Sequence, residues 1–180
     1  MRQIMGRDAI GRAEYDGGRE NLVSCSYAMF PKSAQRFLDV CSTYGPARTA
    51  LEGLPTVAVD YDEVVKALEG REDPFPSDAS QHLGFCLALL RVCATRSEDA
   101  APLLGCLLSA SNDLDDGLRR YRTDFLHPLL GYTDKRVALA ETSRALRSEK
   151  LAKPAWFVIG AIAGGFLTKL GEWLWTRLCA

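Results

Sequence analysis

DASQHLGFCLALLRVCA, residues 78–94, is the stretch on which the fold turns. Ser77 or Asp78 can cap a helix there, because a short side-chain oxygen accepts hydrogen bonds from the unpaired N–H groups of a first helical turn. Leu83, Phe85, Cys86, Leu87, Leu89, Leu90 and Val92 then put apolar groups on most sides of that helix. A helix without a polar face has to be enclosed by other elements. The stretch therefore predicts the central, most buried helix of the molecule, reaching Ala94.

Working downstream, Ser97-Glu98-Asp99 can start another helix. Leu104, Leu107, Ser111, Leu114, Leu118, Tyr121 and Phe125 follow three and four apart, a heptad-like stripe that reads as one helix. Pro128 is expected to end or kink it, and Thr133 or Asp134 to start the next, rich in alanine and basic residues and reaching Lys153-Pro154. Upstream, the loop REDPFPSD, residues 71–78, holds two prolines and reads as the internal boundary. Before it, Asp60 with Glu63 three residues on predicts a capped helix carrying Val64, Val65 and Leu68, with Gly70 as its left-handed exit. Pro31 suits the first turn of a helix whose apolar side is Phe37, Leu38 and Cys41; Gly45-Pro46 ends it, and a short helical turn follows to Gly53. Residues 1–30 show little helical periodicity, and Gly17-Gly18 reads as a breaker.

No strand pattern appears after residue 60. The expected fold is all-α, a small bundle of about four to six helices with a C-terminal hydrophobic, membrane-inserted helix. Three parts are expected: an irregular N-terminal arm over 1–30, a helical bundle domain over 31–153, and a hydrophobic anchor helix over 154–180.

A chain of 180 residues is long enough for one domain with a real core. Charged residues at 25% and a net charge of −1 exclude a disordered acidic chain and a wholly basic nucleic-acid binder. The charge is unevenly spread: seven acids face two bases over residues 60–78, and six bases face two acids over residues 135–153. Six cysteines make an even number, yet Cys86, Cys93 and Cys106 fall in leucine-rich helical stretches where a thiol acts as a small hydrophobe. Residues 1–15 carry no apolar run behind their early arginine, so reduced thiols in a reducing compartment are expected.

The segment AWFVIGAIAGGFLTKLGEWLWTRLCA, residues 155–180, is too apolar and aromatic to sit comfortably in water. Its uncharged run, 154–168, is fifteen residues, short of the roughly twenty that span hydrocarbon. Extension to Leu178 brings in Lys169, Glu172 and Arg177, of which the first two can pair three apart on one face. Trp156, Trp173 and Trp175 flank the glycine-rich centre as an aromatic belt does. Gly160, Gly164, Thr168 and Gly171 share one helical side, and the Gly160–Gly164 spacing allows another helix to approach closely. The basic flank Arg144, Arg147, Lys150 and Lys153 should then stay on the cytosolic or equivalent side, together with the bundle. The rival reading makes the segment a buried core helix of a bundle.

Chemical motifs are scarce. The sequence has no Walker loop, dinucleotide-binding glycine triplet or GxSxG elbow, and only two histidines. His82 and Cys86 lie four apart, too few ligands for a zinc site. Asn112 to Asp116 lacks the glycine and glutamate of a calcium loop, and reads as helical partners of Arg119, Arg120 and Arg122. No catalytic residue, cofactor or metal ligand is assigned. The expected function is a non-enzymatic, membrane-anchored adaptor or accessory subunit of a membrane complex. Its expected partners are a lipid membrane and other protein chains, without nucleic acid. A membrane-perturbing effector with an inserting tail is the alternative from another class.

Overall fold

A computed structural model describes the chain over residues 2–146, with side-chain surroundings from residue 9 onward. The described residues are helical throughout their regular structure, with no strand among them. The chain divides into two units, Met1–Ala138 and Leu139–Ala180. The packing below belongs to the first; of the second, residues 139–146 are described.

The helices are α1 (Arg2–Ser24), α2 (Phe30–Thr43), α3 (Gly45–Glu52), α4 (Tyr61–Glu69), α5 (Ala79–Thr95), α6 (Ala100–Ser109) and α7 (Leu114–Tyr121). A single π-helical turn, Arg122–Leu126, joins α7 to α8, which runs over residues 127–146. α5 is deeply buried, as its sequence predicts, while α2 is the element that packs on the most neighbours, α1, α3 and α5 among them. Asp78 caps α5 by accepting from the backbone N–H groups of Ser80 and Gln81, and Phe85, Cys86, Leu87, Leu89, Leu90 and Cys93 are all buried. α2 packs across α5, α1 lies on α2, and α6 crosses α7. One core cluster runs through these elements from Tyr15 to Val137.

The N-terminal segment is not an irregular arm. α1 buries Tyr15 and Leu22 completely, two residues seven apart on one helical side. Its glycines serve close packing: a Cβ on Gly11 would stand 2.9 Å from the Tyr44 ring, and one on Gly18 would touch Phe37. Of the pair that looks like a breaker, Gly18 lies against α2, whereas a Cβ on Gly17 would meet nothing within 4 Å. The loop at residues 71–78 is likewise not a boundary. Phe75 packs edge-on against Phe85 at 5.7 Å and Phe125 at 5.3 Å, which ties the loop into the first unit.

The heptad-like stripe is broken in two. Ala110 takes a left-handed conformation, φ 51°, and Asp113 restarts the chain by capping Asp115 N–H. A left-handed exit followed by a new N-cap turns the chain back on itself. α6 and α7 meet where Gly105 and Gly117 cross; a Cβ on Gly105 would fall 1.8 Å from the Gly117 carbonyl oxygen.

Pro128 does not end its helix, which runs on to residue 146. Its ring has no N–H and crowds the carbonyl four residues back, but the wider turn before it closes with His127 N–H on Arg122 O. Thr133 and Asp134 therefore start nothing and lie within α8. Gly70 is right-handed, φ −73°, and the left-handed exit of α4 falls on Arg71, φ 59°. The bundle limit expected at residue 153 and the anchor helix over 154–180 lie outside the described residues.

Candidate functional site

Of the residues expected to meet a membrane, Arg144 alone is described, and it is exposed on α8. Arg147, Lys150, Lys153, Trp156, Gly160, Gly164, Thr168, Gly171, Trp173 and Trp175 lie outside the described residues.

In the bundle, a few polar groups join one helix to another. Tyr15 is fully buried, and its hydroxyl donates to Asp134 Oδ1 at 2.8 Å; Arg19 Nε donates to the other carboxylate oxygen at 2.9 Å. Burial, then the Asp134 hydrogen bond, raise the Tyr15 phenol well above its ordinary range, so it stays a donor. This network clamps α1 to α8. A second clamp comes from Arg122, whose Nη2 donates to the carbonyls of Leu22 and Cys25 at the end of α1. A guanidinium there satisfies orphan carbonyls and meets the negative end of the helix dipole. Its Nε is buried without a hydrogen-bond partner.

A third clamp joins α4 to the start of α6. Tyr61 OH donates to Ala100 O at 2.8 Å, while Arg96 lies over the Tyr61 ring at 4.4 Å and donates to both Asp62 oxygens. The Arg96 hydrogen bonds hold Asp62 below the usual carboxylate range. The acids near Asp113 are also engaged. Asp116 pairs with Arg119, and Arg120 pairs forward with Asp124, but Arg122 turns inward and leaves that charged face.

The thiols offer little chemistry. Burial pushes Cys41, Cys86 and Cys93 up to about 12, so they remain protonated near neutrality. Cys25 is the one described cysteine that is not buried; its Sγ lies 3.4 Å from Arg122 Nη2, and it lines a cleft of about 410 Å³ with His127, Thr123 and Asp115. His82 packs edge-on against Phe75 rather than facing a metal partner. Among the described residues no three of His, Cys, Asp and Glu gather as a metal site. No described helix is long and apolar enough to cross a membrane.

A cleft of about 610 Å³ lies between α1 and α2, with Ile10, Ala13 and Gly17 on one wall and Arg36, Asp39 and Val40 on the other. Apolar surface also stands out on α8, where Leu139 and Leu146 are 61% and 54% exposed. Sequence reasoning missed Asp134 and Arg122 as clamps, because charged residues on a basic, alanine-rich helix and at a presumed solvent face look like surface. Compared with known proteins, the chain matches no family model, no curated protein and no solved structure.

Proposed function

We propose that this chain is a non-enzymatic helical adaptor or accessory subunit of a membrane protein complex, held at the bilayer by its C-terminal segment. The observation that carries the proposal is the sequence of residues 154–180, an apolar, glycine-rich run flanked by Trp156, Trp173 and Trp175 and preceded by Arg144, Arg147, Lys150 and Lys153. Bases beside an apolar segment favour the side of a membrane that they cannot leave, and tryptophan favours the interface. In the bundle, support comes from the use to which polar groups are put. Tyr15, Arg19, Asp134, Tyr61 and Arg122 bind helix to helix.

In this role the tail attaches the protein, Gly160 and Gly164 offer a neighbouring membrane helix a close approach, and the bundle presents its surface to other chains. Alkaline carbonate extraction tests attachment. Full-length protein is expected to stay in the membrane pellet; release into the supernatant contradicts insertion. A membrane-perturbing effector is the second reading, favoured by Lys169 and Glu172 inside the apolar run. Leakage of dye from liposomes marks that effector, whereas a passive anchor causes none.

A further inference from the structure

Residues 71–78 form a strap between the end of α4 and the cap of α5, without regular structure. Arg71 N–H to Leu68 O and Glu72 N–H to Ala67 O fix one end, and Asp78, accepting from Ser80 and Gln81, fixes the other. Between these ends, residues 73–77 make one hydrogen bond among the described residues, Phe75 N–H to Asp73 Oδ1, and it lies inside the strap. Pro74 and Pro76 remove two further donors. What holds the strap down is the Phe75 ring. It stands edge-on to His82, Phe85 and Phe125, with ring centroids at 6.3, 5.7 and 5.3 Å. Aromatic quadrupoles favour edge-to-face packing at such distances. Phe85 and Phe125 are buried, so the base of this seat is apolar. The π-helical turn Arg122–Leu126 carries Phe125 to it, a geometry that recurs at functional sites. The seat is a recess for one aromatic side chain, filled by this chain's own.

The rim decides what else the seat fits. Over residues 60–78 seven exposed acids stand against Lys66 and Arg71, and Glu72, Asp73 and Asp78 lie within three residues of Phe75. Of the seven, Asp62 alone is held in an ion pair among the described residues, with Arg96. An acidic rim draws a basic segment and sets its register, and a buried aromatic side chain is a common anchor of a protein contact. We infer that Phe75 is a latch, and that the seat of His82, Phe85 and Phe125 accepts an aromatic side chain from a basic segment of another protein, which displaces the strap. Seat and strap both belong to the first unit, so the inference does not depend on membrane attachment by the tail.

The test uses the full chain in a neutral detergent and three synthetic peptides: a lysine-rich peptide bearing one phenylalanine, the same peptide with alanine in that place, and the phenylalanine peptide with glutamate for lysine. Fluorescence anisotropy measures binding, and hydrogen exchange follows the strap. The parent should bind the lysine-rich phenylalanine peptide roughly tenfold or more tightly than the other two, with faster exchange at residues 71–77 as the strap leaves. Phe75→Ala should bind that peptide roughly tenfold tighter again, because a seat open about a tenth of the time is then always open. Phe75 lies outside every helix, so helical content should match the parent. Phe75→Leu keeps an apolar group in the seat should the alanine variant fail to fold, and its gain should be smaller but of the same sign. Binding that ignores the phenylalanine, or that leaves strap exchange in the parent unchanged, overturns the inference. So does a seat whose affinity neither substitution raises. None of these results alters carbonate extraction, by which the tail attachment stands or falls separately.

Discussion

At the scale of single residues, the molecule takes two left-handed turns without glycine. Ala110 ends α6 at φ 51° and Arg71 ends α4 at φ 59°. After α4, Arg71 N–H reaches Leu68 O and Glu72 N–H reaches Ala67 O, so a backbone position that favours glycine holds a long side chain instead. A Cβ in that conformation costs roughly 1–2 kcal/mol. Ala110→Gly and Arg71→Gly should therefore each raise stability by about 0.5–1 kcal/mol, net of glycine's greater freedom when unfolded. Urea midpoints measure this, and a loss of stability in both variants contradicts the assigned turns. These positions also show the limit of sequence reading. Asp60 and Asp78 were legible as caps because capping needs a particular oxygen. Gly70, one residue early, drew the eye because a left-handed exit usually holds glycine. Asp134 was hidden for a different reason: its partners, Tyr15 and Arg19, are more than a hundred residues away.

Among elements, the crossing of α6 and α7 is the tightest junction. A Cβ on Gly117 would stand 2.3 Å from Pro102 O and 2.4 Å from Cys106 Sγ, and backbone surrounds Gly105 in the same way. Neither helix can yield without moving the other. Gly105→Ala should cost about 3 kcal/mol or more, since overpacking against backbone has no side chain to deflect. Gly17→Ala is the control: a Cβ there meets nothing within 4 Å, and alanine's better helix propensity should raise stability by up to about 1 kcal/mol. Equal effects at the two sites would show that α6 and α7 do not cross there. The periodic stripe from Leu104 to Phe125 concealed this hairpin. Its three-and-four spacing continues through Ser111-Asn112-Asp113, where the backbone turns, because both helices bury one side against the same core. The cap signal at Asp113 was present and was outweighed by the period. In α1, glycines that form a contact surface produced no periodic apolar signal at all.

Taken as a whole molecule, the bundle encloses ionisable groups in their neutral forms. Cys41, Cys86 and Cys93 are each 1% exposed, and burial moves them from 9.0 to about 12. Their contribution to stability is complete below pH 9, the unfolded value, and is lost as pH rises through 9 toward 12, because only the unfolded chain ionises freely. Buried Tyr15 and Tyr61 act in the same direction at higher pH. Over that window each thiol should remove on the order of 1 kcal/mol per pH unit. Unfolding followed in urea at about pH 8 and about pH 10.5 should show a steep fall, and an unchanged midpoint would mean that the thiols reach water.

The all-helical class and the burial of α5 were legible because composition and capping fix them locally. The role assigned to the chain depends on residues 154–180, whose apolar character is a property of the sequence. The direct measurement compares vesicle flotation of the full chain with that of a chain ending at Lys153, each checked for helical content. The account predicts that the full chain floats and the shortened one stays behind, folded. A shortened chain that unfolds, or a full chain that never floats, would contradict it.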